Sequence, residues 1–130
     1  MQDGATPIRL LIVDDERGFT EVLSKRMTRR GLRVDTAASG EEAVRMLRTQ
    51  DYDATIIDLK LESMDGVEIL KVFKLLDPGL PILMLTGHGS ETAVKASMRL
   101  GAADYLSKPV DFEALVAKVL KVARQGGDKA

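Results

Sequence analysis

Five short apolar runs, at residues 8–13, 32–36, 54–57, 81–85 and 103–106, alternate with five stretches whose apolar residues recur at helical spacing. Several runs are continuously apolar instead of alternating, the pattern of parallel strands covered on both faces. Strand and helix taking turns in this way leave few solutions. The natural one is an α/β chain of (βα)₅ type, a doubly wound parallel five-stranded sheet with helices on both faces and strand order 2-1-3-4-5.

The helical stretches carry their own start and stop signals. Phe19, Val22, Leu23 and Met27 form one apolar stripe, stopped by Gly31. Ser39 and Glu42 have capping-box spacing ahead of Ala43, Val44 and Leu47, and Asp65 with Glu68 repeats it before Val67, Leu70 and Phe73. Asp77-Pro78-Gly79 breaks that third helix. Ser90 is placed to cap a segment holding Val94 and Met98 that ends at Gly101. Asp111 is placed to cap the last helix, with Phe112, Leu115, Val116, Val119 and Leu120 as its apolar face.

A length of 130 residues fits one domain, and 45% apolar with 30% charged residues supplies a core without disulfides or a structural metal. Cysteine is absent, which removes thiol nucleophiles and zinc–cysteine sites and points to the cytoplasm as compartment. A formal charge of −1 gives no electrostatic footprint for nucleic acid, so direct nucleic-acid binding is not expected. No stretch has the apolar length of a membrane span, and none is expected to bind a membrane. The expected organisation is a flexible leader over residues 1–7, a domain over 8–124, and a flexible tail or linker start over 125–130.

In open parallel sheets, ligands bind beyond the carboxyl ends of the strands, near the point where strand order reverses. Asp14 and Asp15 follow the first run, Asp58 the third, Thr86 the fourth, and Ser107-Lys108-Pro109 the fifth. Three carboxylates at one edge repel each other unless a cation compensates, and an all-oxygen donor set suits Mg²⁺. Mg²⁺ in turn binds phosphate oxygens, and a carboxylate can accept a phosphoryl group as an acyl phosphate. Phosphoryl transfer asks chiefly for positioning and charge neutralisation. Singly, each residue has a plainer reading: helix cap for Asp14 or Asp15, strand-end hydroxyl for Thr86, solvated surface charge for Lys108. One functional reading covers all of them together.

On these residues the sequence resembles the response-regulator receiver family of two-component signalling, whose fold is the flavodoxin-like order given above. The matching pieces are Leu11-Ile12-Val13-Asp14-Asp15-Glu16, Ile57-Asp58-Leu59, Met64-Asp65-Gly66, Leu85-Thr86-Gly87 and Leu106-Ser107-Lys108-Pro109. The resemblance implies that Asp58 receives a phosphoryl group from a sensor histidine kinase or a phosphotransfer protein. It implies Mg²⁺ held by Asp14, Asp15, Asp58 and the backbone carbonyl of Lys60. Lys108 would pair with phosphoryl oxygens across a cis Lys108–Pro109 bond, and Thr86 would turn inward with Tyr105 as the coupled aromatic switch. Lys60 and His88 would tune how long the phosphoryl group survives. Such a domain is no conventional enzyme, but it catalyses its own phosphorylation and dephosphorylation at Asp58. A homodimer or an output domain would be contacted through residues 90–124.

The stretch Thr86-Gly87-His88-Gly89-Ser90-Glu91-Thr92-Ala93-Val94 looks like that of receivers attached to transcriptional activators; a stand-alone regulator is the other form to expect. One departure stands out. Similar domains commonly have Pro-Gly in the loop after the acceptor, where this chain has Glu62-Ser63, a change expected to strain or reshape the loop by ~1 kcal/mol. A dehalogenase-like phosphotransferase would need a second acid where Lys60 stands, and a flavodoxin-type cofactor site would be repelled by Asp14-Asp15-Glu16. A receiver kept only as a binding module would have lost the acceptor or the lysine, and both are present.

Overall fold

The computed structural model describes residues 6–61, 64–87 and 90–124. Expectations for residues 1–5 of the leader, for the 125–130 tail, for Glu62-Ser63 and for His88 lie outside the described residues. Strands β1 (Arg9–Val13), β2 (Arg33–Ala37), β3 (Ala54–Asp58), β4 (Ile82–Thr86) and β5 (Asp104–Ser107) alternate with helices α1 (Arg17–Arg29), α2 (Gly40–Thr49), α3 (Gly66–Leu76), α4 (Glu91–Arg99) and α5 (Phe112–Val122). The strands form one parallel sheet in the order 2-1-3-4-5, as expected.

The continuous apolar runs have a direct cause in this architecture. Successive side chains of a strand point to opposite faces, and here both faces are covered. Leu11, Val13, Ile57, Ile82 and Met84 join the layer under α2, α3 and α4, which includes Leu47, Phe73 and Leu70. Leu10, Ile12, Ile56, Leu83 and Leu85 join the opposite layer with Leu23 and Met27 of α1 and Leu115, Val116 and Val119 of α5. Each fully buried aliphatic side chain of this kind contributes roughly 1.5–3 kcal/mol.

The helix signals hold with two corrections, and the strand ends need one. Ser39 Oγ accepts from the Glu42 N–H at 3.1 Å, and Glu42 answers by accepting from the Ala38 N–H at 2.8 Å. Asp65 and Asp111 cap α3 and α5 by accepting backbone N–H groups. Ser90, by contrast, stands at the N-cap of α4 without a side-chain cap bond, because its backbone (φ −105°, ψ 13°) is not in the extended form that aims a cap hydroxyl back at the helix. Val22, Met98 and Leu120 belong to the periodic stripes but lie at their outer edges, 58%, 40% and 51% exposed. Finally, β2 to β5 each end one residue later than the apolar runs, since ladder pairing continues through Ala37, Asp58, Thr86 and Ser107. Asp58 and Thr86 are therefore the last residues of their strands and take their direction from the sheet.

Gly31 and Gly101 take φ of 94° and 106°, the left-handed conformation that ends α1 and α4. At the opposite end of the sheet from Asp58, buried Asp53 accepts from the backbone N–H and guanidinium of Arg9 at 2.9–3.3 Å. Arg124, just past α5, donates its backbone N–H to the Asp53 carbonyl at 3.0 Å, and its guanidinium bonds the Tyr52 carbonyl and Asp77. The end of α5 is thereby fastened to the amino-terminal end of β3 and the loop after α3.

Candidate functional site

The switch in strand order puts the carboxyl ends of β1, β3 and β4 side by side, and the chemistry-bearing residues gather there. The Asp14 backbone N–H donates to the Ala37 carbonyl at 3.0 Å, extending the β1–β2 pairing by one residue. Asp14 Oδ1 then accepts from the Glu16 N–H at 2.9 Å, which turns the chain toward α1. Asp58 Oδ1 accepts from the Lys60 N–H at 3.2 Å, the same local bond after β3.

Asp14, Asp15 and Asp58 bring one carboxylate oxygen each within 4.8 Å of one another. Asp14 and Asp58 are buried and Asp15 is partly exposed. Lys108 reaches over from the end of β5. Its ammonium lies 3.2 Å from Asp58 Oδ2, 3.3 Å from Asp14 Oδ2 and 3.3 Å from Glu16 Oε1, spending one donor on each. The Phe19 ring stands 5.0 Å from the same ammonium, and the Lys108–Pro109 bond is cis. An open cleft of about 440 Å³, lined by Asp15, Asp58, Lys60 and Lys108 among others, gives access to the cluster.

The electrostatics follow from burial. Loss of water pushes the Asp14 carboxyl up; the Glu16 N–H works against this, Asp58 adds to it, and Lys108 opposes it. For Lys108, burial acts against the charged form, but Asp14 and Asp58 outweigh it and hold the ammonium above its ordinary range. Asp14, Glu16 and Asp58 thus share the Lys108 ammonium.

Not every expected residue points into this cluster. Thr86 is buried, but its hydroxyl donates to the Leu106 carbonyl at 3.4 Å and lies 3.5 Å from Ser107 Oγ, so it is turned toward β5. Tyr105 sits on edge strand β5 and is 42% exposed. Between them is a cavity of about 390 Å³, lined also by Ser90, Val94 and Lys95. The Lys60 side chain is exposed, and His88 lies outside the described residues. Glu16 and Phe19 are the neighbours of Lys108 that sequence reasoning passed over. Glu16 stood inside a matched motif, whereas nothing in the α1 stripe marks Phe19 as facing a residue 89 positions away.

Residues 10–120 match the family model of the response regulator receiver domain. The chain belongs to that family. Among relatives of this receiver is the transcriptional regulatory protein GlrR of Escherichia coli, 39% identical over 109 residues, 84% of this chain and 24% of the relative. CusR of Escherichia coli, also a transcriptional regulatory protein, is 38% identical over 119 residues, 92% of this chain and 52% of the relative. The chain thus spans about a quarter to a half of the curated relatives it matches. A response regulator from Chloroflexus aurantiacus superposes with TM-score 0.83 at 39% identity, covering 90% of this chain and 98% of that one. A CheY-like receiver domain from Methanospirillum hungatei gives 0.86 at 29% identity, covering 89% and 93%. Among the described residues, no helix of this receiver is long and apolar enough to cross a membrane.

Proposed function

We propose that this receiver takes a phosphoryl group onto Asp58 from a histidine kinase or phosphotransfer protein, in a Mg²⁺-dependent reaction in the cytoplasm, and relays it as a change of shape. The reading rests on one observation. Asp58 is the carboxylate that faces both the other two acids and the Lys108 ammonium, while open to a cleft.

The donor set fits a hard cation. It is all oxygen and partly buried, and the Lys108 ammonium pairs with only two of its three carboxylates, Asp14 and Asp58, which leaves negative charge for a cation to offset. Asp14, Asp15 and Asp58, with the Lys60 backbone carbonyl, would hold Mg²⁺, which when bound neutralises charge on phosphoryl oxygens.

Asp58 contributes the nucleophile. A carboxylate oxygen attacks phosphorus, the new P–O bond forms as the P–N bond of the donor breaks, and that bond's electron pair returns to the donor's imidazole nitrogen. Lys108 is already within 3.2 Å of the acceptor, so it has only to exchange its Asp58 contact for a phosphoryl oxygen. The Thr86 hydroxyl makes long, weak contacts with β5, and turning it toward the phosphoryl group sacrifices little. That turn empties space next to the cavity beside Tyr105, which we assign as the coupled ring. Hydrolysis by water returns Asp58 and inorganic phosphate, with Lys60 and His88 tuning its rate.

The test is intact mass spectrometry after incubation with acetyl phosphate and Mg²⁺. One added phosphoryl group is expected in the native chain and none in Asp58→Asn or with chelator present. Full labelling of the Asp58→Asn variant would remove Asp58 from its role.

A further inference from the structure

The outer side of α2 and α3 is used neither by the acceptor cleft nor by the α4, β5 and α5 surface. A groove of about 570 Å³ runs there, lined by Val44, Met64 and Val72 and bordered by Glu41, Arg45 and Arg48. Leu75 stands one turn along α3 from Val72, neighbours on a helix surface, and is 82% exposed; Leu76 beside it is 40% exposed. Isolated exposed apolar residues need no explanation, but an apolar groove continued by two leucines marks a surface built to be covered.

The charges beside the groove indicate what covers it. Glu41, Arg45 and Arg48 are spaced i, i+4, i+7, so they share one face of α2 with Val44. All three are exposed, and among the described residues none takes part in an ion pair. The acid lies at the amino-terminal end of this row and the bases toward its carboxyl-terminal end. Reversed end to end, the two ends of the row complement each other: Glu41 meets Arg48, two helical turns away on the same face, and Arg45 comes opposite Val44. A second copy of the chain laid antiparallel supplies that pattern twice, as a two-fold interface requires.

We propose that the α2–α3 face pairs with the same face of a second copy, about a two-fold axis crossing the helices at the level of Val44 and Arg45. Glu41 of each copy then faces Arg48 of the other, and the two grooves close over Val44, Val72 and Leu75. Arg45 keeps Glu41 of its own helix, at i−4, as a neighbour. The pairing leaves the Asp58 cleft and the face over residues 90–124 open, and it stands whether or not the phosphoryl chemistry proposed above is right.

Sedimentation equilibrium of the 130-residue chain at low ionic strength, from micromolar to millimolar concentration, tests it. A monomer–dimer equilibrium is expected. Glu41→Arg or Arg48→Glu alone puts like charges together at two symmetric places, and each is expected to weaken association about tenfold. Combining them restores opposite charges and is expected to recover association to near the native level. Leu75→Asp should leave a monomer. Far-ultraviolet circular dichroism of each variant checks the fold independently of association. A native chain that stays monomeric throughout overturns the proposal. So does a dimer indifferent to these substitutions, which would place the interface elsewhere, or a double reversal that recovers nothing, which would assign the face to a different partner.

Discussion

Asp14 is a carboxylate whose charged form is disfavoured by burial. Burial raises its pKa more than Lys108 and the Glu16 N–H lower it, so without metal the folded chain takes up a proton there more readily than the unfolded chain. Its charge therefore costs stability above the folded pKa, and the cost fades as pH falls through that value toward the unfolded one near ~3.9. Asn in its place keeps the oxygen that accepts from Glu16 and drops the charge. Asp14→Asn is expected to raise Tm by ~3 °C at pH 7 in chelator, with the gain shrinking as pH is lowered toward 4. A Tm at pH 7 equal to or below that of the native chain would show that Lys108 compensates Asp14 fully. At this scale the sequence displayed Asp14, Asp15, Asp58 and Lys108, because strand ends and motif spacing locate them. It did not display the direction of the Thr86 hydroxyl or the hold of Glu16 on Lys108. Both are set by side chains that meet only once β5 and α1 have been brought beside the site.

Among the elements, α3 begins in close contact with the end of β3. Gly66 begins α3, and its N–H donates to the Leu59 carbonyl at 3.1 Å. A Cβ there would lie 2.5 Å from the Asp58 carbonyl oxygen and 2.7 Å from Leu59 Cα, both backbone atoms with no slack. Gly66→Ala is expected to cost about 2 kcal/mol in urea unfolding and to slow labelling of Asp58, since the helix moves only by pushing the strand end. A loss under about 0.5 kcal/mol would mean the join yields more easily than its spacing suggests. The sequence offered Met64-Asp65-Gly66 as a motif and Asp65 as a cap, and both readings hold; the steric reason for the glycine needed the third dimension. The order of elements was legible because continuous apolar runs and capping signals report local structure and burial together. The ends of β3, β4 and β5 lie one residue beyond their apolar runs because Asp58, Thr86 and Ser107 are polar, and polarity hides ladder pairing from a hydrophobic pattern. Ser90 misled for a related reason: composition marks a cap residue, but backbone angles decide whether its hydroxyl is used.

For the molecule as a whole, the elements differ in how firmly they are held. Only Ser97 of α4 is fully buried, and its hydroxyl has no hydrogen-bond partner among the described residues, whereas α3 buries Ile69, Leu70 and Phe73 and α5 buries Leu115, Val116 and Val119. A helix with so little apolar burial opens at low free-energy cost. It lies beside the cavity between Thr86 and Tyr105, the place where a change at Asp58 is expected to be felt first. Adding beryllofluoride with Mg²⁺ should therefore alter amide hydrogen exchange along residues 90–108. Protection changes confined to the loops around Asp58 would exclude that face as the reader of the signal.

The Arg124 fastening gives this arrangement a mechanical character. α5 begins beside the Lys108–Pro109 segment at one pole of the molecule and is bolted to Asp53, Tyr52 and Asp77 at the other. Its 11 residues make a rod of roughly 16 Å. Pinned at its far tip and packed along its length through Leu115, Val116 and Val119, the rod does not slide. What play the fold leaves to α5 lies at its near end, beside Lys108, with none at the Arg124 pole.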